Sequence, residues 1–243
     1  MKRLLIVITA IGVQFAQLYA QPDSTYYNNE RRNEDNRLAA HASFFSFENE
    51  AVASSNDWRQ SSNYLSLNGE WNFKWVERPD SLPKNFFATA YNDSQWKKFK
   101  VPATWEVNGF GYPVYVNIGY EFQHIKKPIP PLVPATYNPT AAYRKQIQLP
   151  RGWTSKEVIL HIGAAKSNIT VWVNGAYVGY GEDGRLPSEF NISKYLVEGS
   201  NTIALQVMRW CDGTYLEGQD IWRVSGITRD CYLIARNRVH IAD

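Results

Sequence analysis

Cysteine is scarce: Cys211 and Cys231 are the only two in 243 residues. Two thiols cannot staple a small loop-rich fold, so an apolar core must hold this one. The pair could bond in an oxidising compartment, but nothing in the sequence fixes the separation a disulfide needs. Charge is sparse too, at 20% of residues with a net charge of +3 and no basic stripe. That balance argues against a nucleic-acid partner, and no charge run suggests a helix lying on a membrane surface. No apolar run is long enough to span a bilayer. His41, His124, His161 and His240 are scattered, without the spacing of a metal cage or of a base beside a nucleophile, and read as surface or internally satisfied residues. No internal repeat is present.

At the start of the chain, Lys2 and Arg3 precede an apolar run from Leu4 to Phe15, followed by small residues at Ala16 and Ala20. This pattern predicts a secretory signal peptide over residues 1–20, cleavage after Ala20, and export to the periplasm or the exterior. A retained amphiphilic anchor is the alternative, and the leader has no cysteine for lipid attachment. The roughly 220 residues that follow suit one large all-β domain or two small ones. Hydrophobic residues make up 44% of the chain and aromatic ones 14%, with 9 Trp and 15 Tyr, which favours an aromatic-lined sandwich over a helical bundle.

Residues 21–61 are rich in Asn, Ser, Arg and Glu and read as an extended arm whose apolar patch, Phe44, Phe45 and Phe47, docks on another surface. Residues 62–243 form the expected domain. Leu65, Leu67, Trp71, Phe73 and Trp75 alternate with polar residues around Asn68-Gly69, which predicts a tight hairpin. Prolines at 102, 113, 128, 130, 131, 134 and 139 exclude helices there and mark a long irregular excursion. Short strands are expected over 142–149, 158–162, 169–173, 176–180, 202–208 and 229–234, with a hairpin at Asn174-Gly175 and a helical turn near Ile192. Many short strands with long crossing connections indicate a jelly-roll β-sandwich.

The stretch from Arg209 to Leu233 concentrates acids, amides and indoles between two strand-like runs. Asp212, Glu217 and Asp220 offer oxygen acceptors, Gln219 a two-way amide, and Trp210, Tyr215 and Trp222 flat apolar faces, a set suited to a polyhydroxylated ligand. A loop whose polar groups satisfy one another fits the same composition. In the DGRLPSEF string, Arg185 and Glu189 are placed to pair and hold their loop.

Five separated strings occur in one order: NRLAAH from Asn36, SLNGEWNFKW from Ser66, VPATWEVNGFGYPVYVN from Val101, VNGAYVGYGEDGRLPSEFNIS from Val173, and RWCDGTYLEGQDIWRVSGITRDCYL from Arg209. Together they resemble the N-terminal sugar-binding domain of glycoside hydrolase family 2, and among its members the large bacterial β-galactosidases. The resemblance implies a galactose-binding-domain-like jelly roll preceding an immunoglobulin-like domain and a catalytic barrel. The barrel would carry both catalytic glutamates and the magnesium, so this chain has no catalytic residue of its own. It further implies that Asn117, in YVN, bonds galactosyl hydroxyls, and that Asp212, in WCDG, ligates sodium and contacts the sugar. Glu217, Gln219, Asp220, Trp222 and Arg223 would be scaffold. The implied partners are a β-galactoside or other carbohydrate, the downstream domains, and further copies in an oligomeric parent. A free-standing carbohydrate-binding module, or the same domain of a β-glucuronidase or β-mannosidase, are the rival readings. Without the barrel, Trp105, Tyr115 and Trp210 are expected to form an exposed apolar patch.

Overall fold

The computed structural model describes residues 25–218 and 220–241, so the expected signal peptide and Gln219 lie outside the described residues. In chain order the strands are β1 (Glu34–Asp35), β2 (Tyr64–Ser66), β3 (Gly69–Val76), β4 (Lys97–Val101), β5 (Ala103–Thr104), β6 (Val114–Val116), β7 (Thr140–Leu149) and β8 (Glu157–Ile162). There follow β9 (Ala165–Lys166), β10 (Asn168–Val173), β11 (Ala176–Glu182), β12 (Ser188–Asn191), β13 (Gly199–Met208), β14 (Ile221–Arg223), β15 (Gly226–Ile227) and β16 (Cys231–Arg236). A seven-stranded sheet has the order β1-β11-β10-β13-β7-β3-β4, and a four-stranded sheet the order β12-β8-β16-β2. The two face each other as an antiparallel sandwich, which is the expected all-β architecture.

Burial explains the sequence patterns strand by strand. Ile203, Leu205 and Val207 of β13 point into the main core with Leu160 of β8 and Leu233 of β16. Ala204 points the other way, into a second cluster with Ala142, Trp172, Phe86 and Phe87. The segment carrying Phe86 and Phe87 thus roofs the outer face of the large sheet. Covered on both sides, β10 is buried at every position, whereas β16 alternates between buried and half-buried residues.

Arg144 on β7 ties that roof down. It is 2% exposed, pairs with Asp93 at 2.8 Å, and donates to the carbonyls of Phe86 and Ala88 at 2.5 and 3.0 Å. An irregular segment leaves carbonyls without ladder partners, and a fork of five donors suits them.

Two Asn-Gly pairs behave differently. Asn174-Gly175 joins β10 to β11 as expected, with φ of 51° and 82° at the two turn residues. Asn68-Gly69 makes no hairpin, because β2 pairs with β16 while β3 pairs with β4 and β7. There the chain crosses between sheets, and the Asn68 carboxamide bonds Cys231 N–H and the Asp230 carboxylate.

The arm departs from a wholly extended course. Asn49 caps an α-helix at Glu50–Ser54, accepting from Val52 N–H at 2.9 Å, and a 3-10 turn follows at Trp58–Gln60. The apolar patch docks as expected: Phe45 packs on Phe47 and Trp58, and Trp58 packs on Tyr64 and Tyr232 of the small sheet. Cys211 and Cys231 are buried and unbonded. Cys231 lies in the small sheet, whereas Cys211 follows β13 and faces Ser167.

Replacing Arg144 with Met is expected to lower stability by about 3 kcal/mol, because Asp93 and the roof carbonyls lose their donor. Urea unfolding of the variant beside wild type measures this, and a change below about 1 kcal/mol would contradict the tie.

Candidate functional site

At the end of β13 the chain leaves the sheet as Arg209-Trp210-Cys211-Asp212, and the polar groups of these residues organise everything around them. Asn138 brackets Trp210 by accepting from its N–H at 3.1 Å and donating to its carbonyl at 2.9 Å. A 3-10 turn then runs from Asp212 to Tyr215, with the Thr214 hydroxyl accepting from Cys211 N–H. Asp212 N–H donates to the Tyr27 carbonyl at 3.0 Å. These contacts hold the Asp212 side chain in the interior at 8% exposure, yet its Oδ1 receives no hydrogen bond.

A second carboxyl faces it. Glu182 closes β11, is 5% exposed, and accepts from the Tyr180 hydroxyl at 2.5 Å. Ligand atoms of Glu182, Cys211 and Asp212 lie within 4.8 Å of one another, the one such grouping of three His, Cys, Asp or Glu residues among the described residues. Two buried carboxylates at that range repel unless a proton or a cation lies between them. Burial raises both, and pushes Glu182 up to about 8. The arrangement can therefore hold a proton, or a hard cation on carboxylate oxygens.

Arg209 connects this cluster to a second region. It is 1% exposed, with Nη1 3.5 Å from Glu106 and Nε 3.4 Å from Glu121. It also donates to the carbonyls of Tyr112 and Arg223 at 3.0 and 3.3 Å. Those two carbonyls flank the two-stranded antiparallel sheet of β6 and β14, in which Val116 pairs with Ile221. Asn117 follows directly on β6, exposed, with no hydrogen bond from its side chain among the described residues. No hydrogen bond joins Asn117 to Asp212; Arg209 is the element common to their supports. Lys166 extends the network to Glu121 at 3.1 Å. Against its burial, Lys166 and Arg209 hold the Glu121 carboxyl below its usual range, whereas burial raises Glu106.

The remaining acids of the opening loop are committed elsewhere. Glu217 accepts from the Ser167 hydroxyl and from Gly184 N–H, each at 2.8 Å. Asp220 accepts from the Tyr115 hydroxyl. Arg223 is buried and donates to the Val116 carbonyl at 3.4 Å.

Two expectations are corrected here. Trp105 and Trp210 are fully buried, Trp105 in the inter-sheet core and Trp210 with Phe122 and Val133 beneath the proline-rich excursion. Tyr115, at 51%, is the exposed member of the expected patch, and its companion is Trp222 at 62%, with ring centroids 5.7 Å apart. Arg185 does not pair with Glu189; that carboxylate bonds His41 and His161, each at 2.7 Å. Sequence reading also passed over Glu182, Tyr180, Arg209 and Glu121. The available signal was charge inside apolar runs, as in YGED and VMRW.

The Glu182 shift has a direct consequence. With its pKa raised from 4.5 to about 8, the folded chain keeps a proton that the unfolded chain has released. That contribution is complete below about pH 4.5 and is lost as the pH rises towards about 8. Glu182→Gln should remove the decline, leaving the metal-free variant more stable than wild type near pH 8 by on the order of 2 kcal/mol. Urea unfolding across this pH range measures it, and parallel profiles would refute the shared-proton assignment.

Comparison with known proteins places the chain. Residues 64–237 match the family described as glycosyl hydrolases family 2, sugar binding domain. A "Beta-galactosidase" of Priestia megaterium is 40% identical over 228 residues, which cover 93% of this chain and 22% of that protein. A "Beta-galactosidase" of Vibrio vulnificus is 40% identical over 207 residues, 85% of this chain and 19% of that protein. The chain thus spans about a fifth of the length of these curated relatives. Among solved structures, the Bacteroides uniformis β-glucuronidase superposes with a TM-score of 0.54 at 26% identity, covering 72% of this chain and 18% of that one. The sandwich with its loop cluster therefore belongs to glycosyl hydrolase family 2, as the sugar-binding domain of that family.

Proposed function

We propose that this domain serves an exported β-galactosidase that removes terminal, non-reducing β-galactose with retention, and that it supplies substrate-positioning groups and no catalytic acid. The observation that carries the reading is the buried Asp212 Oδ1, an acceptor without a donor among the described residues. A carboxylate oxygen in that state fits a sodium ion, which would in turn accept a sugar oxygen as ligand and so fix orientation. Sodium ligands beyond Asp212 would come from other domains, and Glu182 stands beside it as a further carboxyl. Asn117 offers an amide that can donate to and accept from galactosyl hydroxyls. Magnesium belongs to the catalytic barrel in this reading, together with the two glutamates of a retaining mechanism.

The acids of this domain support the division of labour. Glu217, Asp220, Glu121 and Glu106 are each engaged by donors or cations of the domain itself. The relatives at 40% identity favour galactosides, and the structural neighbours named β-glucuronidase sustain the glucuronide alternative at lower identity. The exposed pair Tyr115 and Trp222 would face the barrel.

The test is hydrolysis of nitrophenyl β-galactoside and β-glucuronide by the whole polypeptide carrying this domain, in sodium and in potassium. The galactoside should be turned over, and Asp212→Asn should raise KM about tenfold or more while abolishing the sodium response. The 243-residue chain alone should be inactive. Preference for the glucuronide, or turnover by the isolated chain that survives Asp212→Asn, would overturn the assignment.

A further inference from the structure

Away from that cluster, the arm bridges a cavity of about 410 Å³ on the outer face of the small sheet. Two anchors fix the arm on either side of it. Upstream, β1 pairs with β11, Asn36 donates to the Val178 carbonyl at 3.0 Å, and Leu38 N–H donates to the Glu189 carbonyl at 2.9 Å. Downstream, Asn63 donates to the Ser46 carbonyl at 3.1 Å, and Glu48 accepts from Ser62 N–H at 2.9 Å. Residues 39–44 between them are exposed and belong to no helix or strand. His41 reaches back from this span to the sheet.

The imidazole of His41 has an acceptor on each nitrogen. Nδ1 lies 2.7 Å from the Ala42 carbonyl oxygen, and Nε2 lies 2.7 Å from Glu189 Oε2. A neutral imidazole carries one N–H, so one of these contacts would set a lone pair against an oxygen. Both become hydrogen bonds when the ring is an imidazolium. Glu189 is ionised to receive it: against its burial, the hydrogen bonds from His161 and His41 hold its carboxyl below the usual range. Its other oxygen accepts from His161 Nδ1 at 2.7 Å, and the His161 ring is stacked on Tyr232 at 4.2 Å.

The surrounding charges leave this pair in control. Arg236 opposes a cation at His41 but is itself paired with Glu157 at 2.5 Å. Arg37 is paired with Glu34 at 2.8 Å and donates to the Glu182 carbonyl. Asp183, which also lines the cavity, accepts from Arg185 N–H and Leu186 N–H.

We infer that seating residues 39–44 over the small sheet binds a proton at His41, so that this span of the arm is a latch, closed in acid and released as the pH rises past neutrality. The sign follows from linkage. The Ala42 carbonyl first, then Glu189, raise His41 above its ordinary 6.5 in the closed state. The stabilisation is therefore complete below about pH 6.5 and is lost as the pH climbs through the closed-state value.

Two measurements on the full chain test this. Nitrogen-15 shifts of the His41 ring should show both nitrogens protonated in wild type at a pH where Glu189→Gln has already released one proton. Hydrogen exchange of peptides spanning 38–46, corrected for the intrinsic rate, should lose protection between about pH 6 and about pH 8.5. In His41→Gln the same peptides should be poorly protected at both pH values, with exchange in β13 unchanged. The inference fails if His41 titrates at or below its ordinary value, or if the pH-dependent loss of protection is the same in His41→Gln. Exchange in β13 separates release of the arm from global unfolding.

Discussion

The arrangement of the binding face depends on one buried ion: the Arg209 guanidinium, held between Glu106 and Glu121 at the end of β13. A desolvated cation is tolerable only where anions and carbonyls surround it, so its partners have one acceptable geometry. Those partners are irregular backbone. The carbonyls of Tyr112 and Arg223 bound the two-stranded sheet beside Asn117, and Asp212 follows three residues after Arg209 itself. Loops are the mobile parts of a sandwich, but here a rigid strand end dictates where two of them lie. The sheet supplies position, and the ion transmits it.

The same logic separates the two faces of the molecule. The large sheet is covered on its outer face by the segment that Arg144 pins, so β10 is buried throughout and β13 almost so. The small sheet has no such roof and is covered by the arm, through edge-to-face aromatics and the His41–Glu189 contact. Between its backbone anchors at β1 and Ser46 the span 39–44 is held by one titratable pair, so its proposed release would leave both core clusters intact, whereas the roof is fixed by a buried arginine. Conditional behaviour therefore belongs on the small-sheet side and rigid positioning at the strand ends.

How far the sequence revealed this varied with the range of the interaction. Local chemistry was legible: Asn174-Gly175 forms the turn it encodes, because both residues adopt the left-handed conformation and the flanking strands bury complementary faces. Asn68-Gly69 has the same letters and joins different sheets, since pairing partners are chosen by tertiary burial and β16 offers β2 a better one. In sequence the indoles of Trp105 and Trp210 read as surface residues, because an aromatic in a loop-rich stretch looks alike whether it faces solvent or plugs a core, and the fold buries both. Glu189 was assigned to Arg185, four residues away, whereas its partners come from 148 and 28 residues away. Asp212 stood out as an acid in a polar loop. Glu182, which gives it its electrostatic setting, shows in sequence only as a charge in an apolar run; its place beside Asp212 needs the fold, because only antiparallel packing brings the end of β11 to the turn after β13.

That setting decides what Asp212 is suited for. A general acid or base must exchange a proton with substrate, so its carboxyl needs an exposed oxygen and a proton affinity matched to the working pH. Asp212 has the opposite character: buried, turned towards a second carboxyl and a thiol, and provided with no donor for Oδ1. Its energetic deficit is one of positive charge. A proton shared with Glu182 answers it within the domain, and in the proposed enzyme a cation held by Asp212 and by ligands from other domains would answer it. In that proposed case Glu182, once deprotonated, would be free to act as a ligand as well, so filling the site and deprotonating the pair would be one equilibrium. On that proposal the domain would contribute by holding charge and hydroxyls still, and the unpartnered acceptor at Asp212 would couple it to neighbouring domains.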